Sequence, residues 1–318
     1  MVHSGDSPLA LPNLKRWVSE STYKWLLVAD REAEELKQEL DDNATASAAN
    51  LFGNEEDEEE SRLHSWSTST VNLDGAYADV VEDGAVSIVY ILSSSLAGFG
   101  DTVWSSSRHI SNLLANPDSC RDILSHFYSR REQDEESSEN ASHPLSGVSF
   151  LELGAGAGVP SWTAMGCGAR VVCTDQPNAD RIRCIAECLE RNLHNMKQNP
   201  KSNGIYDNCQ ACPYGWGTPI DEVAKALSKG GDERFDVIVA ADCMYMPWLH
   251  IELLNSIDML LSDRGVALMP FALHGNTDDD DVMKIVDRAK EKGFDVEMLA
   301  EAQLTPPSEG MEAKQVSR

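Results

Sequence analysis

Residues 150–162 read FLELGAGAGVPSW, an apolar run followed by glycine at every second position: Gly154, Gly156 and Gly158. Glycine at such spacing removes side chains from a loop and tolerates left-handed backbone, so the chain can fold closely around a ligand. A loop of this kind directly after a buried strand is where nucleotide cofactors of several sorts sit, and the flanking residues have to say which.

Outward from that stretch the pattern is regular. VSFLELG (148–154) reads as a buried strand and ARVVCTD (169–175) as a second. Between them and Pro200, Ile182, Ile185, Leu189, Leu193 and Met196 recur at helical spacing. A short third strand is predicted around Gln210 to Tyr214. FDVIVAAD (235–242) is the fourth and GVALMPFAL (265–273) the fifth, with a helix carrying Leu253, Leu254, Ile257, Leu260 and Leu261 between them. Val282, Ile285, Val286 and Ala289 define a further helix, begun by the acidic run Asp278 to Asp281 and ended by Gly293; FDVEML (294–299) reads as a sixth strand. Short apolar strands separated by amphipathic helices specify parallel βαβ units, hence an α/β, Rossmann-like, doubly wound and mostly parallel sheet.

In such a sheet the ligand lies beyond the carboxyl ends of the strands. A dinucleotide loop is spelled G-x-G-x-x-G, which requires glycine at position 159, and that residue is Val159; the spacing is G-x-G-x-G instead. Two places before the first glycine stands Glu152, awkward beside a pyrophosphate and comfortable beside a cation. Asp175, 21 residues after Gly154, ends the second strand, where a carboxylate accepts hydrogen bonds from ribose hydroxyls. Together these favour S-adenosyl-L-methionine over a nicotinamide dinucleotide.

The composition narrows the partner. Asp plus Glu number 53 against 26 Lys plus Arg, a formal charge of -27, which repels a phosphate backbone; nucleic acid is excluded as a substrate, while a basic protein, a cationic small molecule or a neutral metabolite fits. The eight cysteines lie mostly in apolar or helical segments and read as reduced thiols of a cytoplasmic protein. Cys209 and Cys212 form a lone C-x-x-C with no second pair, so no metal is expected. The longest apolar run near the N-terminus, Trp25 to Ala29, is far too short for a membrane span.

Residues 1–70 differ in character and are predicted to be an N-terminal extension: an amphipathic helix through Leu26, Ala29, Ala33, Leu36 and Leu40, then a solvated acidic linker at Glu55 to Glu60. Residues 71–318 then form the catalytic domain. It opens with VSIVYIL (86–92) as a strand, the turn AGFGD, and a helix with Ile110, Leu113 and Leu114 on one face that stops before Pro117. Residues 129–146 read as a polar surface loop, and His274 as a loop histidine beside the fifth strand.

Four motifs in this order, GFGDTVWSSS, FLELGAGAGVPS with Asp175, PYGWG, and VIVAADCMY, resemble the seven-β-strand protein methyltransferases that modify lysines, most closely the elongation factor 1-alpha N-methyltransferase or nicotinamide N-methyltransferase-like subgroup. The resemblance covers roughly residues 85 to 300. It implies that Trp104 closes over the methionine end of S-adenosyl-L-methionine and that Gly154, Ala155 and Gly156, with Gly158 beyond them, follow the cofactor. It also implies that Asp175 holds the ribose, Trp216 packs on the adenine and Ala241 contributes at the end of the fourth strand. Asp242 and Tyr245 are the candidates for orienting an acceptor amine, either a lysine side chain or an N-terminal amine; Asp242 also suits a helix N-cap. Residues 243 and 244 are Cys and Met, unlike the D/N-P-P-Y/F signature of nucleic-acid amino-methylating enzymes.

The implied acceptor is a basic, elongation factor 1-alpha-like protein and the implied enzyme a monomer. A small-molecule N-methyltransferase and a non-catalytic interaction protein on the same fold stay open as alternatives. The family's seventh strand inserts antiparallel beside the fifth, yet after FDVEML the sequence supplies only AEAQLTPPSEGMEAKQVSR, so a truncated seventh strand is expected.

Overall fold

The computed structural model describes residues 14–48, 64–72, 85–93, 103–131, 143–197, 209–227, 234–272, 278–299, 302–303 and 316–317. The expected acidic linker at 55–60, the AGFGD turn, most of the 129–146 loop and His274 lie outside these residues.

The centre is a five-stranded parallel sheet of β3 (Ser149–Glu152), β4 (Arg170–Asp175), β5 (Gln210–Pro213), β6 (Phe235–Val239) and β7 (Leu261–Leu268), in the order β5-β4-β3-β6-β7. All four residues of β3 are buried, as the uninterrupted apolar run requires of a central strand covered on both faces. Chain order reverses between β3 and β6, which puts the switch point where β3 and β6 release their loops. Those loops are the glycine stretch and the segment 240–246.

The helices follow the predicted stripes. In α6 (Ala179–Lys197), Ile182, Ile185, Leu189 and Leu193 are buried against β4 and β5. In α9 (Asp279–Lys292), Val282, Ile285 and Ala289 face inward. The side chain of Asp278 caps the amide of Asp280, and Gly293 ends the helix at φ +99°. Between them α8 (His250–Leu260) buries Leu253, Leu254, Ile257 and Leu260, while Leu261, placed on this helix from sequence, is extended and begins β7 instead. Two short helices, α5 (Val159–Gly166) and α7 (Asp221–Leu227), complete the crossovers. Ahead of the sheet lie α2 (Ser105–Ala115), α3 (Pro117–Ile123) and α4 (Ser125–Arg131). Pro117, expected to stop α2, also opens α3 at a position where its missing N–H costs nothing.

Several expectations are corrected. Residues 294–299, read as a sixth strand, form no strand: Phe294 and Val296 lodge against the core while Met298 and Leu299 are exposed. Among the described residues of the tail, β8 (Ala302–Gln303) pairs with β9 (Val316–Ser317), and neither joins the central sheet as a seventh strand. The N-terminal helix α1 (Glu20–Ala48) is not an appendage. Leu14, Trp17, Val18 and Leu26 join the main core, and the Trp17 carbonyl accepts the Ala211 amide at 2.7 Å, covering the free edge of β5. Arg183 binds Asp30, and the Trp17 indole donates to Glu190 at 2.6 Å. The boundary expected at residue 70 falls inside β1 (His64–Asn72), which pairs antiparallel with β2 (Ala85–Ser93).

Candidate functional site

At the end of β3 the three glycines all have positive φ, +65°, +54° and +71°, but they answer to different neighbours. A Cβ on Gly154 would meet Cys243 Sγ at 2.9 Å and Trp216 Cζ2 at 3.1 Å, so this glycine admits an indole and a thiol from two other loops. Gly156 has nothing within 4 Å of its Cβ position and faces open space. Gly158, placed with the cofactor from sequence, instead underlies Trp162, whose ring a Cβ would strike at 2.6 Å. Its absent side chain serves the packing of α5.

Asp175, at the end of β4, accepts the Gly156 amide on Oδ2 at 2.7 Å and the Gln176 amide on Oδ1 at 2.8 Å. Burial raises its pKa, opposed by the Arg181 guanidinium and those two amides. Arg181, which sequence reasoning did not single out, is buried in the first turn of α6 and also reaches the Gly156 carbonyl at 3.4 Å. Its position six residues beyond Asp175 was the only available signal.

Glu152 is not at the mouth of the loop but beneath it. It is fully buried, and its Oε2 accepts the Ser161 amide in the first turn of α5 at 2.9 Å. Burial pushes its carboxyl up to about 8, with Ser161 pulling the other way and Asp175 adding to the rise. The negative charge inferred at position 152 is therefore conditional: it develops fully when a cation lies near enough to offset desolvation.

Across the crevice, the segment after β6 is pinned at every residue from 242 to 244. The Asp242 amide donates to the Pro270 carbonyl at 2.8 Å, and Oδ1 of Asp242 accepts the Ala272 amide at 2.9 Å. Oδ2 accepts the buried Ser106 hydroxyl. Cys243 Sγ contacts the Leu153 carbonyl at 3.3 Å, and His250 Nε2 pairs with the Met244 carbonyl at 2.7 Å. Among the described residues Asp242 is the one non-glycine with positive φ, +52°, a conformation that costs roughly 1–2 kcal/mol and persists because these bonds hold it. It is not a helix N-cap, since the next helical turn begins only at Pro247. Tyr245 is half-buried, and burial lifts its phenol to about 12, so at neutral pH it keeps its proton and acts as a hydrogen-bonding group.

Trp216, in the loop after β5, is fixed from below: the Gly217 amide and the Tyr214 hydroxyl each donate to Ser256 Oγ in α8 at 2.9 Å. Trp104 stands at the N-cap of α2 in extended conformation, two residues before Ser106. Thus Trp216 and Cys243 meet at Gly154, Asp175 is bonded to Gly156 two residues on, and Ser106 joins the turn that carries Trp104 to Asp242. All eight cysteines are free and buried, and no group of metal-ligating side chains occurs among the described residues. No described helix is long and apolar enough to cross a membrane.

A parallel, doubly wound sheet with this glycine loop and acidic strand end at its switch point defines a Rossmann-like domain of the methyltransferase type. A family model described as lysine methyltransferase matches residues 86–288, and the chain belongs to that family. The cofactor that accords with this family is S-adenosyl-L-methionine. The residues present fit it: open space at Gly156, a carboxylate at Asp175, an indole at Gly154 and a buried carboxyl at Glu152.

The chain is 32% identical over 170 residues to the protein N-terminal and lysine N-methyltransferase EFM7 of Gibberella zeae, covering 51% of this chain and 63% of that protein. It is 32% identical over 159 residues to the corresponding protein of Schizosaccharomyces pombe, covering 49% of this chain and 58% of that one. The chain thus spans less than two thirds of the length of these relatives. A putative S-adenosylmethionine-dependent methyltransferase from Streptococcus mutans aligns over 84% of this chain and 56% of its own at 14% identity and a TM-score of 0.41, too distant to carry an inference.

Proposed function

We propose that the protein transfers a methyl group from S-adenosyl-L-methionine to an amine of a protein, a lysine side chain or an N-terminal amine. The observation that carries this reading is the meeting of Trp216 and Cys243 at Gly154, beside the Gly156–Asp175 hydrogen bond, in a chain of the lysine methyltransferase family.

When bound, the cofactor supplies a methyl group on a positively charged sulfur, open to in-line attack by a lone pair. Everything else falls to the chain. Asp175 would hold the ribose hydroxyls, and its Oδ2 keeps the Gly156 amide aligned. Trp216 offers a flat apolar surface for a purine beside Gly154. Glu152, once ionised, would offset part of a cationic ligand's charge. The acceptor amine has to reach the crevice unprotonated, although a free lysine has a pKa of ~10.4 and an N-terminal amine one near ~8. An apolar, desolvated approach favours the neutral amine, and Asp242 and the protonated phenol of Tyr245 orient its lone pair, the proton leaving to solvent.

The net charge of -27 supports a basic acceptor, and the motif resemblance supports a translation elongation factor of the 1-alpha type. We further propose that the protein is cytoplasmic, which the free, buried thiols favour, and that it acts as a monomer. Incubating the purified enzyme and labelled cofactor with extract from cells lacking the gene tests the acceptor. A labelled basic protein whose intact mass rises by methyl increments supports the reading, and label found only in metabolites contradicts it.

A further inference from the structure

We propose that Ser106 is a positioning residue for the methyl-transfer step, holding Asp242 in its acceptor-facing conformation and locking the Trp104 segment to the acceptor loop. This inference rests on the proposed function, because it assumes that Asp242 meets the amine.

The two residues lie 136 positions apart and are both buried, with the Ser106 hydroxyl donating to Asp242 Oδ2. Oδ1 is committed to the Ala272 amide at 2.9 Å, and the Asp242 amide to the Pro270 carbonyl at 2.8 Å. Asp242 therefore ties three pieces of chain together: the first turn of α2, the loop after β6 and the loop after β7. Its left-handed backbone is one an aspartate seldom adopts, so the side-chain contacts have to outweigh the strain. Ser106 belongs to the element that presents Trp104, at the N-cap two residues earlier.

A carboxylate held from two directions is fixed in rotation, and its remaining lone pairs point along set directions. Removing the Ser106 donor frees that rotation and simultaneously loosens the N-terminal turn of α2. Precise placement of an orienting group alters the reactive geometry more than it alters ground-state binding. The effect should therefore fall on turnover.

The test compares wild type, S106A and D242N in three measurements: amide hydrogen exchange, affinity for S-adenosylhomocysteine, and kcat and KM for the protein acceptor. In both variants, exchange is expected to speed up together at residues 104–108 and at Ala272. With S106A, kcat falls at least about tenfold while KM and the affinity for S-adenosylhomocysteine stay within about twofold, a split a purely structural role would not produce. The proposal is overturned if exchange quickens only in the segment that was mutated. It is equally overturned if S106A keeps kcat within about twofold of wild type, or loses turnover and cofactor affinity in parallel. If wild type binds S-adenosylhomocysteine but methylates no protein, the proposed function fails instead, and the exchange measurement still decides whether the clamp exists.

Discussion

The indole of Trp216 lies so close to Gly154 that a Cβ at that position would stand 3.1 Å from its Cζ2. Cys243 Sγ approaches the same point to 2.9 Å, and the backbone there has φ +65°. The Gly154→Ala variant thus meets left-handed strain of about 1–2 kcal/mol and an overlap that displaces the indole. Affinity for S-adenosylhomocysteine by calorimetry should fall at least about tenfold. The corresponding change at Gly156, where nothing lies within 4 Å, meets strain without overlap and should keep Trp216 in place, as read by its fluorescence.

Cofactor binding should depend on pH through Glu152. Its carboxyl sits at about 8 in the folded protein against 4.5 ordinarily, because burial disfavours the charge. A bound cation favours the ionised form, so binding expels a proton, and affinity should weaken as pH falls below about 8. Calorimetry in buffers of different ionisation enthalpy reads the proton released, and Glu152→Gln should abolish it. The sign for stability is opposite. With its folded pKa raised, the group binds more protons folded than unfolded between 4.5 and about 8, so its contribution to stability declines as pH rises through that window.

Acid stability should be limited in part by His143. It is fully buried, with Nε2 paired to the Ala115 carbonyl and Nδ1 accepting the Leu145 amide at 3.1 Å, an arrangement that requires the neutral ring. Burial lowers its pKa from 6.5 to about 4. The unfolded chain therefore binds more protons between those values, and stability is lost as pH drops from 6.5 toward about 4, by about 3 kcal/mol in all. Denaturant midpoints across that range should show the slope, and it should flatten in His143→Gln.

The five central strands and the stripes of α6, α8 and α9 were legible because parallel strands read as apolar runs and half-buried helices show a 3.6-residue period. α5 was not legible. Every one of its residues, Val159 to Gly166, is buried, so it has no polar face to set a period against. β1, HSWSTSTVN, is polar enough to pass for linker beside the acidic run. FDVEML alternates as a strand should but leaves Met298 and Leu299 exposed. Within the site, Gly154, Asp175 and Trp216 announced themselves by motif. The Ser106–Asp242 contact and the seating of Cys243 against Gly154 did not, because each joins distant segments that only the folded sheet brings together.

The N-terminal segment should be needed for folding. Trp17 is buried in the main core and its carbonyl covers the edge of β5 through Ala211. Trp17→Ala should cost about 3–5 kcal/mol, seen as a lowered denaturation midpoint. Deleting residues 1–30 removes Leu14, Val18 and Leu26 as well and exposes that strand edge, so the shortened chain should aggregate where the full one does not.

The most direct test is a parallel calorimetric titration of wild type and Asp175→Ala with S-adenosylhomocysteine and with NAD. One site for S-adenosylhomocysteine is expected, weakened at least about tenfold by the substitution, and no heat from the dinucleotide. Saturable NAD binding that depends on Asp175, with none for S-adenosylhomocysteine, would contradict it.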